Sequence, residues 1–77
     1  MLPRLLHLHP QTHTRLVRLS KEAERDGIYR VAKRLHAVVL NSEGRTSGEL
    51  AQILKTPRSG VSEWLSLYEA YGVEGLL

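Results

Sequence analysis

The sequence predicts an all-α fold, a small bundle of about four helices in one domain. Apolar residues recur at helical spacing through most of the chain, and no stretch alternates between apolar and polar like a strand. Gly27, Gly44 and Gly72 follow the longer helical segments, where helices commonly end. Seventy-seven residues without a cysteine must hold such a fold by packing alone, near the lower size limit for a single core.

The first predicted helix follows an N-terminal arm, residues 1–10, that Pro10 closes. Thr12 is a suitable N-cap for this helix, which should end at Asp26 and Gly27. Its buried face would consist of Leu16, Leu19 and Ala23. The helical domain proper is therefore predicted to span residues 11–77.

The second predicted helix runs from about Ile28 to Ser42, and Gly44 stops it. Its residues Ile28, Val31, Ala32, Leu35, Val38 and Val39 form an apolar stripe. A helix with such a stripe buries one face against its neighbours.

The third predicted helix is short, from Ser47 to Leu54. Thr46 would cap it, and Glu49 stands at the reciprocal position of a capping box.

The fourth predicted helix begins after the break at residues 55–57. Thr56 can cap it, and Pro57 suits its first turn, where a missing N–H costs little. Its apolar residues follow the pattern i, i+3, i+4 and i+7, at Val61, Trp64, Leu65 and Tyr68. The helix should end at Tyr71 and Gly72.

The third and fourth helices, residues 46–71, have the spacing of a helix-turn-helix. The two helices of this motif cross closely, so a small residue is needed at the crossing, and Ala51 supplies it. Apolar residues at Leu50, Leu54, Val61 and Trp64 would point into the core. The opposite face of the fourth helix, with Arg58, Ser59, Ser62, Glu63 and Ser66, would lie in the major groove of double-stranded DNA.

Two sets of DNA contacts follow from this prediction. The base contacts would be made by Arg58, Ser59, Ser62 and Glu63, with Arg58 best suited to read guanine. The phosphate contacts would be made by Arg45, Thr46, Lys55, Arg30, Lys33 and Arg34. For the second-helix cations, a solvated or ion-paired side chain is an equally good interpretation.

Residues 44–54, 58–65 and 71–76 carry a resemblance to a known family. Over roughly residues 15–77 the chain resembles the N-terminal domain of bacterial insertion-sequence transposases related to the Tc/mariner group. The more specific parts are Val61-x-x-Trp64-Leu65 and Gly72-x-x-Gly75-Leu76. The resemblance implies a homeodomain-like helix-turn-helix that recognises the terminal inverted repeats of a mobile element. It also implies that a separate C-terminal domain with three acidic residues binds metal and cuts DNA.

Four residues depart from the pattern of that family. Lys55 stands in the turn where glycine is usual. A non-glycine residue with positive φ is uncommon, so we expect the turn to be either strained or differently shaped. Thr56 replaces an apolar residue, and Glu63 replaces an expected cation. Gly60 lies early in the fourth helix, either for close approach to DNA or because it is tolerated there, at a cost of up to ~1 kcal/mol.

Catalysis and metal binding by this chain are not predicted. The sequence has no paired carboxylates, no glycine-rich phosphate loop and no nucleophile with a positioned base, so we expect neither an enzyme nor a cofactor. His7, His9 and His13 cluster, as zinc ligands can, but no carboxylate or thiol accompanies them and Pro10 interrupts a shared helix. His36 is interpreted as a helix residue.

The charge distribution favours a polyanionic partner. The net charge is +3, and residues 1–34 hold eight basic residues and three acids. Apolar runs are too short to span a membrane, and the start is too broken for a secretion signal, so a cytoplasmic, nucleoid-associated location is expected. The arm is apolar at Leu2, Leu5, Leu6 and Leu8. It would cover the domain's own core or pack on a second copy as a homodimer.

Two other functions remain open on the sequence. One is a helical protein-interaction or dimerisation module whose fourth helix does not bind DNA. The other is a small stand-alone transcription regulator. The ending at residues 75–77 favours a fragment of a longer transposase or a truncated gene product.

Overall fold

A computed structural model describes residues 4–77. It contains α1 (Pro10–Arg25), α2 (Tyr29–Ser42), α3 (Ser47–Ile53) and α4 (Arg58–Tyr71), followed by a 3-10 helix (Gly72–Leu76). No strand occurs among the described residues. The predicted all-α fold with four helices is confirmed, and the 3-10 helix is an addition to it.

The start of α1 differs from the prediction. His9 is the N-cap, and its Nδ1 accepts a hydrogen bond from the N–H of Gln11 at 3.1 Å. Pro10 is the first helical residue, because its fixed φ suits the first turn and its missing N–H is not needed there. The prediction that Thr12 caps this helix is wrong, since Thr12 already lies within the helix.

The start of α3 agrees with the prediction. The Thr46 side chain accepts a hydrogen bond from the N–H of Glu49 at 3.3 Å, and the N–H of Thr46 donates to Oε1 of Glu49 at 3.1 Å. The capping box is confirmed. It fixes the direction in which the chain enters the helix-turn-helix.

The start of α4 again differs at a proline. Pro57 is the N-cap, and its carbonyl accepts hydrogen bonds from the N–H groups of Gly60 at 2.9 Å and Val61 at 3.2 Å. The predicted cap Thr56 is wrong, because its hydroxyl donates to the carbonyl of Leu54 at 3.1 Å instead.

One apolar core joins all the elements. Its fully buried members are Leu16, Leu35, Val38, Leu50, Val61, Leu65 and Leu76. Trp64, Ala51 and Leu54 are partly buried and pack against it. The predicted core positions of α3 and α4 therefore face inward, which leaves the polar face of α4 toward solvent.

The 3-10 helix contributes Leu76 to this core, and this residue is fully buried. Gly75 permits the close approach to α4, because a Cβ atom there would lie 2.6 Å from the carbonyl oxygen of Leu67. A backbone atom cannot move aside as a flexible side chain can. The tail Gly72-x-x-Gly75-Leu76 is thus a packing feature.

None of the helices in the described part of the chain is both long and apolar enough to cross a membrane.

Candidate nucleic-acid interface

The turn between α3 and α4 is built around Lys55 in the left-handed region, with φ of +52°. The N–H of Leu54 donates to the Leu50 carbonyl at 2.8 Å, and the N–H of Thr56 donates to the Ala51 carbonyl at 3.0 Å. These bonds end α3 and reverse the chain. Lys55 thus adopts the positive φ that is uncommon for a non-glycine residue, so of the two expectations the strained turn is the one observed. Its side chain is exposed beside the start of α4.

The outer face of α4 is polar and open. Arg58, Ser59 and Glu63 are exposed, whereas Val61 and Leu65 on the inner face are fully buried. The 14 residues of α4 span about 21 Å. A helix of this shape fits the major groove of B-DNA, which is about 12 Å wide.

Gly60 lies close to the turn that precedes α4. A Cβ atom at this position would lie 3.2 Å from Cγ2 of Thr56, in the turn. The direction of that Cβ is toward the protein's own turn. A larger residue at position 60 would therefore require the Thr56 side chain to shift by a few tenths of an ångström.

Two cations of α2 lie beside the turn. Arg30 and Lys33 line one surface groove together with Tyr29, Thr56 and Trp64. This places them next to the N-terminal half of α4, where phosphates would flank a helix lying in the major groove. Arg34 is not part of this groove. It is partly buried, and its Nε has no hydrogen-bond partner among the described residues.

Arg45 and Thr46 lie at the start of α3, and both interact with Glu49. Nη1 of Arg45 is 3.5 Å from Oε2 of Glu49, and both side chains are about half exposed. The Thr46 hydroxyl is 3.2 Å from Oε1 of Glu49. Hydrogen bonds from the backbone and then the side chain of Thr46, with a smaller effect of Arg45, lower the pKa of Glu49 below its ordinary value. Glu49 therefore stays ionised beside both predicted phosphate contacts.

The N-terminal arm crosses α4 at Arg4, a contact that sequence reasoning missed. Nε of Arg4 donates to Oε1 of Glu69 at 2.9 Å, and its Nη2 also pairs with that carboxylate. Nη2 lies 3.2 Å from Oγ of Ser66, and Nη1 lies 3.4 Å from the carbonyl of Ser62. Arg4 thus occupies one edge of the polar face of α4. The two partners are 65 residues apart in sequence, so no local pattern could reveal the pair.

Asn41 anchors the arm. This residue is fully buried, and its Oδ1 accepts from the N–H of Leu6 at 2.8 Å. Its Nδ2 donates to the carbonyls of Arg4 and Arg45, both at 2.9 Å. A single amide therefore ties the arm to the loop before α3. The sequence offered one signal for this contact: Asn41 is a polar residue one helical turn after Val38, on the apolar face of α2.

The arm packs on the protein's own core in its described part. Leu6 and Leu8 contact the core cluster, while Leu5 is 37% exposed. Leu2 lies outside the described residues. Homodimerisation through the arm stays a prediction.

The histidines are used separately. His9 caps α1, and Nε2 of His13 is 2.7 Å from Oε2 of Glu43 at the end of α2. Between residues 4 and 77, no three histidine or acidic side chains come together as a metal site would require.

Comparison with known proteins places this geometry in a family. Residues 28–77, from the start of α2 to the end of the chain, match the homeodomain-like domain. No curated protein and no solved structure shows a significant match. The arm and α1 precede the matched region. The chain belongs to the family of homeodomain-like domains, and its α3, turn and α4 form the helix-turn-helix of a DNA-binding domain.

Proposed function

We propose that the chain is the DNA-binding domain of a transposase and recognises the terminal inverted repeats of its mobile element through the major groove. The observation that carries the DNA-reading part is the exposed polar surface of α4 at Arg58, Ser59 and Glu63, on a helix whose Val61 and Leu65 are fully buried in the core. The transposase role rests on the sequence resemblance over residues 15–77.

In this proposal Arg58 reads the DNA most strongly. It stands at the first position of α4 with an exposed side chain. A bidentate arginine–guanine contact gives roughly 1–3 kcal/mol of discrimination. Ser59 and Ser62 would hydrogen-bond to neighbouring bases, and Glu63 would accept from the amino group of cytosine.

The affinity would come from phosphate contacts around this helix. Lys55 in the turn and Arg30 and Lys33 in the adjacent groove flank the start of α4, and Arg45 lies at the start of α3. Arg34 is the weakest member of the predicted set, because its Nε is enclosed. Three or four phosphates would give a slope of log K against log salt of about −3 to −4. The resemblance places the cutting of DNA in a separate domain, so we propose no enzymatic activity for this chain.

The test is selection of bound duplexes from a random-sequence pool, followed by salt titration of the enriched site. Arg58→Ala should relax one position of the site and cost about tenfold in affinity, equivalent to roughly 1.4 kcal/mol. Arg15→Ala is the matched control, because Arg15 is an exposed arginine of α1 and lies outside the helix-turn-helix. It should leave the sequence preference unchanged.

The position of the enriched site in the genome tests the transposase role. Inverted copies that flank the gene support it. A single copy upstream of the gene indicates a stand-alone transcription regulator instead. If no sequence is enriched and binding is undetectable at low salt, the major-groove proposal fails.

A further inference from the structure

The outer face of α1 carries a stripe of cations. Arg18, Lys21 and Arg25 are exposed and follow Thr14 at spacings of four, three and four residues, so they share one face of the helix. They line one open surface groove with Thr14, Val17 and Glu22. The opposite face of α1 holds Leu16 and Ala23, which are buried. We call Arg18, Lys21 and Arg25 the α1 stripe.

The three cations of the α1 stripe outnumber the two acids beside them, Glu22 in the same groove and Asp26 after Arg25. Among the described residues, Arg18 and Lys21 form no ion pair or hydrogen bond with an acid. Arg25 pairs only with the adjacent Asp26, at 3.5 Å, and both side chains are more than half exposed. Such an exposed pair contributes little, so all three cations remain open to a polyanion.

The α1 stripe and the polar outer face of α4 belong to two helices that both pack on α2 and make little contact with each other. The helix α1 packs chiefly along α2, with Ser20 Oγ donating to the Ala32 carbonyl at 3.2 Å. The helix α4 packs against α2, α3 and the 3-10 helix. Each of the two helices turns its polar face away from the core. If the α1 stripe stays clear of a duplex that lies along α4, its cations are free to contact other DNA.

We propose that the α1 stripe binds the phosphate backbone of a second segment of duplex DNA while α4 reads the first, so that one domain bridges two segments. The three cations span about 10 Å of helix, and B-DNA presents one negative charge per roughly 1.7 Å of its axis. The contact is independent of sequence and sensitive to salt. This proposal rests on the proposed function only for the binding of the first segment by α4. The α1 stripe also precedes the residues that match the family, so it is a feature of this chain's own N-terminal helix.

The test is capture of a second duplex by the full chain. A duplex with the selected site is fixed to beads, and a fluorescent duplex of unrelated sequence is added with the protein at low salt. Wild-type protein should capture the fluorescent duplex. Arg18→Gln/Lys21→Gln should weaken this capture, and the salt slope of the remaining capture should fall by about 2 as two phosphate contacts are removed.

A matched pair of variants separates position from net charge. Arg18→Gln and Arg15→Gln each remove one exposed arginine from α1, but only Arg18 belongs to the α1 stripe. Arg18→Gln should weaken capture more than Arg15→Gln. Both should keep the helical circular dichroism of the wild type, since glutamine is a good helix former.

Each other outcome is decisive. Capture by Arg18→Gln/Lys21→Gln at the wild-type level overturns the proposal. Light scattering that shows a protein dimer would then assign the bridging to two copies of the chain. A second result also overturns it: Arg18→Gln/Lys21→Gln is retained less well than the wild type on the bead-bound duplex, and neither protein captures a second duplex. The α1 stripe would then contact the first duplex. Failure of the proposed function gives a different result: Arg58→Ala is retained on the bead-bound site as well as the wild type.

Discussion

At the scale of single residues, Lys55 combines a strained backbone with a charge beside the reading helix. A non-glycine residue in the left-handed region costs of order 1–3 kcal/mol. Glycine would remove this strain, but it would also raise the entropy of the unfolded chain, which lowers stability by about 0.4–1 kcal/mol. Lys55→Gly should therefore raise the free energy of unfolding by about 1 kcal/mol in urea titrations. The same change should weaken DNA binding and reduce its salt slope by about 1. Lys55→Asn, which tolerates this conformation, should lose DNA affinity with a smaller gain in stability.

Thr46 and Glu49 support a second prediction at this scale. Thr46→Ala removes the cap of α3 and should lower the free energy of unfolding by about 1 kcal/mol. The capping box also makes stability depend on pH. Because the folded-state pKa of Glu49 is lowered, the folded protein binds fewer protons, so this stabilisation is full above the unfolded-state pKa and is lost as the pH falls through the folded-state pKa. Urea titrations from neutral to acidic pH check this.

Glu49→Gln is the control for that pH dependence. This variant should flatten the acid limb of the stability curve without changing the limb above neutral pH. An unchanged acid limb would assign the dependence to other carboxylates.

At the scale of elements, the joint between the arm and the helix-turn-helix depends on Asn41. Replacing it with leucine would leave the N–H of Leu6 and the carbonyls of Arg4 and Arg45 without their partner. Unsatisfied buried groups cost about 1–3 kcal/mol each, so Asn41→Leu should destabilise by about 3 kcal/mol. Hydrogen exchange at the Leu6 amide should accelerate more than at the α4 amides.

Asn41→Asp is the matched variant for the same joint. It keeps the acceptor for Leu6 but loses both donated bonds, so the Leu6 amide should stay more protected than in Asn41→Leu. Equal exchange in the two variants would show that the Leu6 bond is not what holds the arm.

The elements also show how far the sequence alone could reach. Local signals succeeded where only neighbouring residues decide, as in the capping box of Thr46 and Glu49. The predicted caps Thr12 and Thr56 failed because a proline two residues earlier or one residue later sets where each helix begins. The contacts of Arg4 with Glu69 and of Asn41 with the arm were missed because the partners are 65 and 35 to 37 residues apart, and such pairs exist only once the core has formed.

At the scale of the whole molecule, the electrostatic field at the reading face depends on the pair of Arg4 and Glu69. The polar outer face of α4 has one cation of its own, Arg58. The arm adds the cation Arg4, and Glu69 compensates its charge. Glu69→Gln should therefore raise affinity for duplex DNA and steepen the salt slope by about 1, because Arg4 becomes available to phosphate. The free energy of unfolding should change by less than about 1 kcal/mol, as expected for an exposed pair.

The control for this last prediction is Glu74→Gln, which makes the same change of net charge on the exposed surface of the 3-10 helix. Salt titrations of both variants on one duplex separate a local effect from a change in total charge. If the two variants raise affinity equally, the gain belongs to net charge and Arg4 has no special position. If only Glu69→Gln does so, the arm and α4 form one continuous DNA-facing surface, and the exposed acids of α4 limit how tightly that surface binds.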